Sequence, residues 1–168
     1  MKIHGLSTDY LREHGQEPAE AVGELLAALT REFLAGTAVV VMNAPYDLAV
    51  LRAEAARYGF EFPRPSPVID PLVIDKQVDK YRRGKRRLHD LCGVHGVELA
   101  EAHSAAPDAL AAVQVADCQA EKYPELQMPA QQLHDLQVVW KADQAEDFQA
   151  YLRRQGKTDT VIDGSWPL

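Results

Sequence analysis

Apolar residues in the first third of the chain recur with a helical period. Between Pro18 and Phe33, Val22, Leu25, Leu26, Leu29 and Phe33 fall on one stripe, and Pro18 suits a first turn, so the spacing predicts an amphipathic helix. Gly36 and Thr37 break it, and Ala38 to Met42 form an unbroken apolar run rich in β-branched residues. That is the pattern of a strand buried on both faces, as in a parallel sheet. Asn43 is placed to cap a following helix, with Pro45 in its first turn and Leu48, Leu51 and an alanine-rich stretch carrying it to Tyr58. Pro63, Pro65 and Pro67 make a stiff connector, after which Val68 and Ile69 read as a second short strand ending at Asp70 and Pro71.

The second half reads as helical. Leu88 to Val94 predicts a short helix turned by Gly96, and Ser104 to Lys122 an alanine-rich one ended before Pro124. Ala130 to Gln155 predicts a long helix with Leu133, Leu136, Trp140, Phe148 and Leu152 on one face, and Thr158 to Leu168 an extended tail. The fold class is therefore α/β, with an oddity. Two strands cannot by themselves bury both faces and both edges of a valine-rich run. Further strands are expected outside this sequence, or a partner is expected to supply them.

The 168 residues, 46% of them hydrophobic, suffice for one domain with a real core. No apolar run approaches the roughly 18 residues that span a bilayer, and Met1 is not followed by a secretion signal, so a cytoplasmic chain without membrane partners is expected. Cys92 and Cys118 form no C-x-x-C pair and read as reduced thiols rather than a zinc site. A net charge of -7 argues against coating nucleic acid by bulk positive charge. The cations are concentrated, however. Lys76, Lys80, Arg82, Arg83, Lys85, Arg86 and Arg87 face Asp79 alone in that stretch, a basic arm suited to holding a phosphate backbone or simply to being a solvated loop.

Candidate chemistry sits where α/β proteins place it, past the carboxyl ends of strands and at helix starts: Asn43 with Asp47, Asp70, and His103 with Asp108. Taken singly, Asp47 and Asp108 suit the first turn of any helix. Taken in order, Asn43-Ala44-Pro45-Tyr46-Asp47 after an apolar strand, then His103-x4-Asp108 opening an alanine-rich helix, the sequence resembles the DEDDh family of 3′-5′ exonucleases, which includes bacterial polymerase proofreading subunits. Ile3-His4-Gly5-Leu6 is similar to a stretch that follows that family's first three strands. The resemblance covers roughly Lys2 to Lys122, a partial exonuclease domain at residues 1–122, with 123–168 as a helical extension and tail outside it.

The resemblance implies an RNase H-like fold with a mixed sheet and phosphodiester hydrolysis assisted by two Mg2+ or Mn2+ ions. By it, Asp47 and Asp108 match metal-ligand positions and His103 the general base, a role suited to a side chain titrating near neutrality. His4, Asn43 and Tyr46 would shape a pocket for the terminal nucleotide, with Lys80, Arg82 and Arg83 contacting the substrate strand and Asp70 lending local support. The implied partner is a single-stranded or frayed 3′ end of DNA, with RNA as the alternative, and a DNA polymerase is a candidate protein partner.

The family's first motif, D-x-E, occurs nowhere in the chain. Because the match begins beside Met1, the expectation is that a contiguous block, the N-terminal strands, is missing, from a misplaced start or a shortened sequence. With half the carboxylates absent, little or no nuclease activity is expected of the 168 residues. Two other readings stay open: a degenerate domain that grips 3′ ends or a replication partner without cutting, and a helical oligomer in which the motifs are relics.

Overall fold

A computed structural model describes residues 7–99 and 105–168. Helix α1, Thr8–His14, opens at Ser7, whose hydroxyl accepts the Tyr10 N–H at 3.1 Å. Polar composition hid this element; the Ser-Thr-Asp start was its one signal. Helix α2 spans Pro18–Leu34, β1 Val39–Val40, α3 Ala44–Tyr58, β2 Val68–Ile69 and α4 Pro71–Val78. Then come α5, Leu88–His95, ended by left-handed Gly96, and α6, Ala105–Lys122. A single turn at Pro124–Leu126 leads into α7, Ala130–Arg154. Apart from α1 and α4, the second of which occupies a stretch read only as the end of a strand and the start of the basic arm, the helices lie close to where the spacing of apolar residues puts them.

The sheet departs from expectation. Among the described residues it is a parallel pair only, Val39 opposite Val68 and Val40 opposite Ile69, in a mostly helical molecule rather than a mixed sheet. The strand predicted over Ala38 to Met42 is shorter and half-buried instead of fully buried, whereas Val68 and Ile69 are buried. The two edges differ because α7 lies along one of them.

Alternate peptide groups of a strand point to opposite sides, so Val68 offers its N–H and C=O away from β1. The Val68 N–H donates to His134 Nδ1 at 3.1 Å, Gln137 Nε2 donates to the Val68 C=O at 3.1 Å, and the Asp70 N–H donates to Gln137 Oε1 at 2.7 Å. His134 and Gln137 stand one turn apart on α7, so their side chains take the place of a third strand. The inward face of α7 is accordingly part polar: Leu133, His134, Gln137, Ala145 and Leu152 are buried, and Phe148, predicted on the apolar face, stands half-exposed beside Tyr151.

The core forms three clusters. Ala44, Leu48, Val68, Val73 and Trp166 make one, Ile69, Ile74, Leu126 and Leu133 a second, and Leu91, Cys92, Ala111 and Val115 a third. The tail beyond α7 contributes to the first. Its Ile162 N–H donates to Gln149 Oε1 at 2.9 Å, and Gly164 lies so close to α7 that a Cβ there would stand 3.2 Å from the Ala142 Cα. Trp166 is 5% exposed. Residues 123–168, set apart by the sequence, thus pack directly on β2, α4 and α3. No described helix is long and apolar enough to cross a membrane.

Candidate active site at the carboxyl end of the sheet

The chain leaves β1 through Asn43, which adopts the left-handed conformation at φ 63°. Asn tolerates that region better than most residues, and the turn sends the chain straight into α3 with Pro45 in its first turn. The expected Asn43 side-chain cap does not form. The acceptor comes from across the sheet instead. Asp70, at the end of β2, accepts the Asn43 N–H on Oδ1 at 2.9 Å and the Ala44 N–H on Oδ2 at 3.0 Å, and caps its own helix by accepting the Leu72 N–H at 2.9 Å. The Trp166 indole N–H donates to Oδ2 at 3.3 Å.

Asp70 is 1% exposed, and burial raises its pKa. The N–H donors oppose that shift and make a buried carboxylate tolerable without a paired cation. One side chain thereby joins the ends of both strands, the start of α3 and the tail. Asp70, expected only to lend local support, holds the backbone of the turn.

On this turn Tyr46 and Asp47 are exposed, Tyr46 at 67%. The turn beneath partly desolvates the Asp47 carboxyl and raises its pKa, and the Asp70 charge adds to the rise. Asp108 is half-buried in the first turn of α6. Helix α6 packs along α5, and the Asp108 charge, after burial itself, helps push up the pKa of the Cys92 thiol. Met42, next to Asn43, packs against the Leu91, Cys92, Ala111 and Val115 cluster, so the start of α6 and the carboxyl end of β1 belong to one neighbourhood. His4 and His103 lie outside the described residues.

A divalent cation of the Mg2+ or Mn2+ class takes about six oxygen ligands, several of them carboxylates when two ions share a site. Among the described residues no three Asp, Glu, His or Cys side chains come together as such a set. Asp47 and Asp108 alone do not fit a two-ion centre.

The basic stretch folds otherwise than as a free arm. Arg82 Nη2 donates to Asp75 Oδ2 at 2.8 Å, and Arg86 donates to the same oxygen and to backbone carbonyls around it. Asp75 is 2% exposed, so two guanidiniums close the loop onto a buried carboxylate. Arg82, expected at the substrate strand, therefore faces inward. Lys80 pairs with Asp147 of α7 at 2.6 Å, and Arg87 with Asp90 at 2.8 Å, both on the surface. Arg83 and Lys85 stay exposed without an ion pair among the described residues. Lys76 and Lys80 line an open groove of about 1100 Å³ with Tyr81, Lys141, Phe148 and Tyr151. Sequence spacing carries no signal for this inward turn, because a charge run reads alike whether solvated or pinned.

A family model described as exonuclease matches residues 1–116, and the chain belongs to that family. No curated protein and no solved structure matches it.

Proposed function

We propose that this member of the exonuclease family acts on the 3′ end of single-stranded or frayed DNA, with RNA as the alternative substrate, by metal-assisted hydrolysis in the 3′-5′ direction. The observation that supports this reading best is the Asn43 to Asp47 turn. Its backbone is gripped by buried Asp70 at the carboxyl end of a parallel sheet, so an exposed aromatic ring and an exposed carboxylate are presented from a rigid base. Tyr46 is suited to stacking on a terminal base, Asp47 and Asp108 offer carboxylates, and Arg83 offers an exposed cation to the phosphate strand. His103 is the proton acceptor that the resemblance assigns. Since the described carboxylates do not make a two-ion centre, the 168 residues alone are expected to cut slowly at best.

That same shortage of ligands favours a second reading, a domain that holds 3′ ends or a replication partner without cutting. One assay separates the two. The purified chain is incubated with a 5′-labelled single-stranded oligodeoxynucleotide, with and without Mn2+ or Mg2+, while anisotropy follows binding. Slow, metal-dependent shortening from the 3′ end, abolished in Asp108→Asn, supports the exonuclease. Salt-sensitive binding with no shortening supports the second reading. Rapid trimming lost in His103→Ala would overturn the expectation of weak activity, and neither cutting nor binding would overturn both readings.

A further inference from the structure

The family match ends at residue 116, yet a side chain fifty positions later reaches the turn that presents Asp47. Trp166 enters the core between Ala44, Leu48, Val68 and Val73, and its indole N–H donates to the Asp70 oxygen that also accepts the Ala44 N–H. The approach is guided at three points. Ile162 is tied to Gln149, Gly164 passes α7 where a Cβ would press on Ala142 and Ala145 at 3.2 and 3.3 Å, and the indole ring lies 5.0 Å from the His134 ring. The tail therefore runs along one side of α7 and delivers a single donor to the carboxyl end of β2.

We infer that Asp70 and Trp166 act together as positioning residues for the Asn43 to Asp47 turn, with the tail as a latch on the candidate active site. Asp70 holds the two N–H groups that set the direction of α3. Trp166 holds Asp70: the indole donor fixes which way the carboxylate plane faces, and the ring fills the space behind Ala44. This role rests on the proposed function only in its use. The geometry it describes is that of the turn, and it can be read with no nuclease activity present.

The test is backbone amide hydrogen exchange in the full chain, followed at Asn43 and Ala44 and at Leu91 and Val115 in the third core cluster. Trp166→Phe keeps most of the ring and removes the N–H. It is expected to speed exchange at Asn43 and Ala44 by about threefold and leave Leu91 and Val115 unchanged, as weakening one hydrogen bond to a charged group demands. Asp70→Asn replaces an acceptor oxygen by an NH2 group and is expected to exceed about tenfold at the same two amides. Gly164→Val, which crowds the tail against Ala142 and Ala145 at a position outside the turn, is expected to behave like Trp166→Phe.

A merely structural tail gives a different pattern, in which the effects of Trp166→Phe, a buried ring made smaller, and of Gly164→Val spread equally over all four amides, while a Trp166→Phe chain with unchanged exchange at Asn43 and Ala44 would show that the indole N–H holds nothing. Either result would overturn the latch. If Asp70→Asn fails to fold, the Trp166→Phe and Gly164→Val chains still decide the question. Should the chain prove to have no nuclease activity while Asn43 and Ala44 respond as expected, the proposed function falls and the latch stands. The reverse pattern removes the latch alone.

Discussion

The two edges of the small sheet are finished in different ways. Along β2, α7 supplies a ring nitrogen, a carboxamide N–H and a carboxamide oxygen to the outward-facing groups of Val68 and Asp70. Along β1, Val40 presents its outward N–H and C=O to no side chain among the described residues, and its own side chain is half-buried. An edge strand is a liability wherever its backbone goes unpaired, and here one edge is closed by a helix with polar residues in strand-like register while the other is not. The candidate site straddles both: Asn43 follows the open strand, Asp70 the closed one, and the hydrogen bonds between them let the closed edge stabilise the turn of the open one. The backbone that carries Asp70 is therefore held in part by α7, which lies beyond the residues that the family model matches.

Gln137 is where this comparison breaks most readily. It is fully buried and serves the Asp70 N–H, the Val68 C=O and, through the same amide nitrogen, the Leu133 C=O. Gln137→Leu keeps the bulk and strands two buried backbone groups, at about 1–3 kcal/mol each, so a loss of about 2–6 kcal/mol is expected in urea unfolding. A change below about 1 kcal/mol would mean that β2 does not depend on α7 for its edge.

The strands themselves sharpen the contrast through one substitution made twice. Val68 is completely buried and Val40 is not. Val68→Ala is expected to cost about 2 kcal/mol and Val40→Ala about 1 kcal/mol or less, in the same unfolding assay. Equal costs would show the two edges to be equivalent in energy despite their geometry.

Much of the fold was legible along the chain because apolar periodicity reports directly on which face is buried. The helices from Pro18, Ala44, Leu88 and Ala130, and the strand at Val68, follow that rule. What escaped it was carried by polar residues whose partners are distant in sequence. His134 and Gln137 read as the solvent side of an amphipathic helix, since nothing local says that a strand edge waits 66 and 69 positions earlier. Arg82 and Arg86 read as part of a basic arm because the buried Asp75 that gathers them looks like any other helical acid. Asp47 stands out by its motif, whereas Asp70, which holds the turn under it, was visible only as a residue after a strand. Hydrophobic pattern is a local record; buried polar pairing is not.

The smallest expected effect concerns pH at the closed edge. His134 accepts the Val68 N–H on Nδ1, which requires that nitrogen to be unprotonated, and burial lowers its pKa below the ordinary 6.5. Protonating Nδ1 would also break the Val68 bond, so the geometry favours the neutral ring as burial does. In the unfolded chain the ring takes up its proton near 6.5, before the native ring does, so the unfolded state binds more protons in the window just below that value. The contribution of His134 to stability is therefore complete above pH 6.5 and drains as pH falls from there toward the native pKa. His95, whose pKa is also lowered by burial with Lys122 nearby, acts in the same direction, so the comparison must be between two chains rather than two pH values. His134→Gln retains an acceptor for Val68 without a titratable ring. Its urea midpoint is expected to fall less steeply than the native one between pH 6.5 and 5, and parallel curves would show that the α7 edge carries no proton-linked stability.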